Sequence, residues 1–109
     1  MSFGRADGGI ETITPVGTTL SGAPTLTGNV CILTAAAGQV AAALPQNAAA
    51  PITVLNTAAT AVSLTVFPPT AAGKINNGSA GAALSIAQNK TAVFFPLANG
   101  VDWAAVVSA

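Results

Sequence analysis

The sequence predicts an all-β protein, a small antiparallel β-sandwich or jelly-roll-like barrel with an extended N-terminal arm. Three observations lead there. Short apolar runs recur from Asn29 onward and are separated by Gly, Pro and Asn turn signals. Within Val62-Ser63-Leu64-Thr65-Val66-Phe67 the residues Val62, Leu64 and Val66 fall on one face and Ser63 and Thr65 on the other, a period of two that belongs to strands. Asn-Gly pairs, suited to the positive φ of tight turns, stand between runs at Asn77-Gly78 and Asn99-Gly100.

The chain divides near Thr27, into an arm (residues 1–27) and a β domain (residues 28–109). Phe3 to Leu26 is dense in Gly, Thr, Ser and Pro, with isolated apolar residues at Phe3, Ile10, Ile13, Val16 and Leu20, and this pattern does not build its own core. Pro15 biases Thr14-Pro15-Val16 toward extended geometry. In the domain, Asn29 to Thr34 is the first strand. Gln39 to Leu44 is the second: its alanines favour helix, but Gly38, Pro45 and Pro51 cut the segment too short for one. Ile52 to Asn56 and Val62 to Phe67 flank the small-residue connection Thr57 to Ala61 and are expected to form a hairpin, stopped by Pro68-Pro69, which lack backbone donors. Gly73 to Asn76 and Ala82 to Ala87 are read as a hairpin about Asn77-Gly78. Thr91 to Leu97 and Val101 to Val107 are read as another about Asn99-Gly100. Val93, Phe95 and Leu97 share a face with Phe94 opposite, and Trp103 aligns with Val101, Ala105 and Val107 as a core anchor.

Charge is scarce. Only 6% of the 109 residues are charged, against roughly a quarter in ordinary soluble domains. The net charge is +0, His and Tyr are absent, and no charged residue lies between Glu11 and Lys74. Such a surface has little colloidal repulsion and suits a protein that spends its life assembled. Arg5, Lys74 and Lys90 are too few and too scattered to follow a phosphate backbone, so no nucleic-acid partner is expected. No apolar run approaches the roughly 20 residues of a membrane span, and Met1 to Asp7 lacks the layout of a secretory signal.

The catalytic inventory is equally thin. Asp7, Glu11 and Asp102 are the only carboxylates, and no acid–base pair, calcium loop or phosphate-binding loop can be assembled from them or from Gly73-Lys74. Cys31 has no His to activate it and reads as a buried small hydrophobe. The glycosylation-like triplets Asn77-Gly78-Ser79 and Asn89-Lys90-Thr91 read as turns. The chain is therefore expected to be no enzyme, with no cofactor, metal or small-molecule substrate. Phe3, Ile10 and Ile13 as apolar anchors, with Arg5, Asp7 and Glu11 as ion-pairing groups, compose a candidate contact arm for a larger protein surface.

Leu44-Pro45, Pro51 to Asn56, Leu64 to Pro69, Gly73 to Gly78 and the aromatic strand ahead of Trp103 together resemble small β modules of tailed bacteriophages, found in head decoration (cement) proteins and in head or tail fibres. The resemblance implies a structural virion protein made in the bacterial cytoplasm and carried on the capsid exterior. It implies a homotrimeric knob that clamps the major capsid protein through extended arms. The alternative is a head- or tail-fibre module for host attachment or glycan binding. No residue of the arm is fixed by the resemblance; the contact role of Phe3, Arg5, Asp7, Ile10, Glu11 and Ile13 comes from position and composition.

Overall fold

The computed structural model describes residues 9–108. Among the described residues there are eight strands and no helix: β1 (Ile10–Ile13), β2 (Val30–Leu33), β3 (Ala41–Ala43), β4 (Ile52–Asn56), β5 (Leu64–Phe67), β6 (Leu84–Ile86), β7 (Thr91–Pro96) and β8 (Trp103–Val107). One sheet has the order β1-β2-β4-β7-β8 and the other β3-β5-β6. The all-β expectation is met, and strands form inside each of the runs Asn29 to Thr34, Gln39 to Leu44, Ile52 to Asn56 and Val62 to Phe67.

Both sheets are mixed, which corrects the antiparallel expectation. β1–β2, β2–β4 and β3–β5 are parallel, whereas β4–β7, β5–β6 and β7–β8 are antiparallel. The cause is the path of the chain. From β2 to β5 it alternates between sheets, so each return to a sheet repeats the earlier direction and lays the new strand parallel to the old one. The stretch between β1 and β2 does the same, since Thr25 forms a parallel bridge with Ala43 of β3. Residues 10–67 therefore wind as a three-turn coil, and β6, β7 and β8 close it with antiparallel ladders.

Two expected hairpins do not form. β4 and β5 lie in different sheets and do not pair. Gly73 to Asn76 is not a strand: Ile75 bridges to Trp103, and β6 pairs with β5. The Asn-rich turn does form, one residue early, with Asn76 and Asn77 at φ 55° and 57° and Gly78 N–H bonded to Ile75 O at 3.1 Å. The β7–β8 hairpin is as expected. Its loop turns at Gly100, φ +83°, where a Cβ would collide with Asn47 Oδ1.

The core lies between the sheets. Cys31, Leu33, Ile52, Val54, Ala92, Phe94 and Trp103 point inward from the five-stranded sheet, and Leu64, Val66 and Ile86 from the smaller one. Trp103 is 1% exposed and is the largest fully buried side chain. Asn56 is the one polar residue among the described residues that is buried with them. Its amide is fully engaged: Nδ2 donates to Val62 O and Ile86 O, both at 2.9 Å, and Oδ1 accepts from Ala58 N at 3.0 Å and Ala35 N at 3.5 Å. It ties β4 to β6 across the core.

Candidate assembly surfaces

The six arm residues fall into two groups. Phe3, Arg5 and Asp7 lie outside the described residues. Ile10, Glu11 and Ile13 form most of β1, which pairs with β2 in the register Ile10–Val30, Glu11–Cys31, Ile13–Leu33. From Gly9 onward, the stretch expected to extend as an arm is laid on the sandwich. Pro15 is buried, Val16 N–H bonds Ala41 O, and Leu26 is in the core with its N–H on Ala43 O. The partner that a Gly/Thr-rich stretch lacks in itself is supplied by the edges of β2 and β3.

Within β1 the three side chains do different work. Ile13 packs against the core. Ile10 is 74% exposed. The Glu11 carboxylate turns back on its own chain: Oε1 accepts from Thr27 N at 3.0 Å and Gly28 N at 2.9 Å, and Oε2 accepts from the Thr27 hydroxyl. The Cys31 thiol lies 3.8 Å from Oε1. Burial pushes the Glu11 carboxyl up, but the bonds from Thr27, Gly28 and Cys31 outweigh it and hold the group below its ordinary value of 4.5. Gly28 is required here, since a Cβ would stand 2.9 Å from Gly9 O and 3.0 Å from Glu11 Cβ. The carboxylate thus fastens β1 to the turn that enters β2.

The sheet edges are treated unequally. The outer edge of β8 is covered by Lys74 to Asn76: Trp103 N–H bonds Lys74 O, Asn76 N–H bonds Trp103 O, and the Asn76 side chain takes Ala105. The outer edge of β3 is covered by Val16, Gly17, Pro24 and Leu26. β6 is only three residues long. At β1, Gly9 O accepts from Val30 N–H, so the alternation of a parallel ladder turns the peptide groups of Ile10 and Thr12 to the outer side, where no described residue pairs with them. An open edge strand is a template for another chain.

The second surface is the outer face of the five-stranded sheet. Cross-strand register aligns Ile10, Val30, Thr53, Val93 and Val106 in one row, and Thr12, Ile32, Leu55 and Thr91 in the next; Phe95 pairs with Ala104 on the same side. None of these residues is charged, and Val106 and Phe95 are 65% and 42% exposed. Apolar side chains that line a solvent-facing sheet across five strands mark a contact surface. This face is not legible in the sequence. Its alternation within each strand was legible, but the alignment of five strands depends on long-range pairing.

Charged groups elsewhere serve turns. Asp102 Oδ1 accepts from Lys74 N at 2.9 Å and Oδ2 from Asn99 Nδ2 at 2.8 Å, closing the β7–β8 loop. Asn77 and Asn89 of the two glycosylation-like triplets sit at positive φ in turns. Among the described residues no group of three or more His, Cys, Asp or Glu could hold a metal ion. No family model matches the chain, and neither a curated protein nor a solved structure matches it.

Proposed function

We propose that this chain is a structural virion protein, a capsid decoration protein that binds the assembled phage head and stabilises it. The observation that carries this reading is the contrast between edges. β8 and β3 are covered by the chain itself, while among the described residues nothing covers the outer edge of β1, which is apolar at Ile10 and fastened from behind by Glu11. A strand anchored on one side and open on the other is suited to adding a strand or apolar segment of the major capsid protein. Phe3, Arg5 and Asp7 continue that contact upstream, while Glu11 and Ile13 hold the strand. The nearly uncharged surface accords with permanent assembly. Stabilisation then follows from mass action, because a protein that binds only the assembled shell lowers the free energy of that shell alone.

The test is co-sedimentation with mature heads stripped of this protein, together with the melting temperature of the heads. Full-length protein is expected to pellet with heads and raise their melting temperature. A version lacking residues 1–8, and Thr12→Pro, which removes an N–H from the outer edge of β1, are each expected to stay folded and to lose binding and stabilisation. Absence of binding by the full-length protein, or binding that neither change weakens, rejects the reading.

A further inference from the structure

The outer row of the five-stranded sheet is close to symmetric about its middle strand. Thr53 of β4 stands at the centre, Val30 and Val93 flank it one strand away, and Ile10 and Val106 lie two strands away. We propose that this face binds a second copy of the chain about a two-fold axis running along β4. In that arrangement Thr53 meets Thr53, Val30 meets Val93, and Ile10 meets Val106.

A two-fold interface uses the same patch on both partners, so the patch must complement itself. The row reads apolar, apolar, Thr, apolar, apolar from either end, and the symmetric pairing sets every apolar residue against another. The next row places Leu55 on the same axis, where it meets its own copy, while Ile32 meets the Thr91 side chain and Thr12 lies at the outer end. Neither row carries a charge, and closure buries no ion.

Size is consistent with a reversible dimer. The two rows, extended by Phe95 and Ala104, with strands about 4.8 Å and rows about 7 Å apart, present roughly 400 Å². Two copies bury about 800 Å² in total, in the class of weak, transient contacts rather than permanent ones. The resulting stack holds three, five, five and three strands in order.

The pairing does not depend on a phage head; it covers the Ile10 side chain and leaves the outward peptide groups of β1 outside it. Sedimentation equilibrium of the full chain is expected to show a monomer–dimer equilibrium with a dissociation constant on the order of micromolar. Val106→Lys, at an exposed position, is expected to weaken it at least tenfold, while Val16→Lys, exposed but off the face, leaves it unchanged. As an independent readout, the Thr53→Cys variant is expected to be joined to its partner by a short thiol cross-linker; Cys31 is fully buried and does not compete. The proposal is overturned by a monomer throughout the concentration range, by a trimer, or by a dimer that Val106→Lys leaves intact. Loss of shell binding in the version lacking residues 1–8, with dimerisation kept, separates this inference from the decoration reading.

Discussion

Asn76 pairs with both backbone groups of Ala105 as a neighbouring strand would: Oδ1 accepts from Ala105 N at 2.7 Å and Nδ2 donates to Ala105 O at 3.1 Å. One side chain thereby substitutes for a ladder rung at the edge of β8. Asn76 also holds φ at 55°, a conformation Asn tolerates better than most residues. Asn76→Gly keeps the backbone freedom and removes the rung, and is expected to cost about 1 kcal/mol. Asn76→Ala adds backbone strain and is expected to cost about 2 kcal/mol. Urea unfolding of both variants checks the order, and faster amide exchange at Ala105 in each checks the cause.

Asn56 is the polar tie through the core. Asn56→Ala leaves Val62 O, Ile86 O and Ala58 N without their side-chain partner in a site closed to water. The expected loss is about 3 kcal/mol or more, a large share of the stability of a domain this size. Asn56→Leu, similar in volume, is expected to be no better, because these backbone groups still lose the side-chain partner that Asn56 supplies. Denaturant midpoints that move little for both variants would mean that the tie is dispensable.

Acid acts through Glu11. Its folded-state pKa is lowered, so its contribution to stability is fully present above the unfolded value and is lost as pH falls through the folded one. The ordinary value is 4.5, so the loss begins near that pH and continues below it. Thermal melts of the native protein are expected to fall over this window. Glu11→Gln is expected to start lower at neutral pH and to show a shallower acid slope. Parallel slopes in the two proteins would place the acid sensitivity elsewhere.

Cys31 faces the core, where burial, followed by the nearby Glu11 charge, pushes its pKa up to about 11. At pH 8 the thiol is therefore both shielded and protonated. An aromatic disulfide reagent is expected to leave the native protein unlabelled and to react once with the unfolded chain. Prompt labelling of the native state would contradict the packing of β2.

Much of the fold was legible because two patterns are local. Alternation in Leu64-Thr65-Val66-Phe67 identifies a strand without reference to its partner, and Asn99-Gly100 encodes the β7–β8 turn. Pairing of β4 was illegible for the same reason: a short connection to β5 suggests a hairpin, yet Ile52, Val54 and Asn56 are buried beside neighbours from β2 and β7. The winding did leave a trace. Thr14, Thr34 and Thr57 each follow the last residue of β1, β2 and β4, spaced 20 and 23 residues apart, and the hydroxyls of Thr34 and Thr57 lie 2.7 Å apart. A recurrence of that length signals stacked turns. For the candidate surfaces, composition revealed a chain made for contact, but only the five-strand register reveals which residues share the outer face. Ile10, isolated among polar residues in the sequence, is exposed, whereas the Glu11 carboxylate serves β1 internally, a role that depends on the distant turn Thr27-Gly28.

The coil has a consequence for synthesis. The chain is made from its N-terminus, so all three turns leave the ribosome before Thr91, and at that stage Val54 has no Ala92 beside it and Trp103 does not yet exist to fill the core. Contacts 20 or more residues apart must wait for a platform that is translated later. Completion is thus deferred to the last hairpin, and a nascent chain stalled before it exposes the Val, Leu and Ile side chains that holding chaperones recognise.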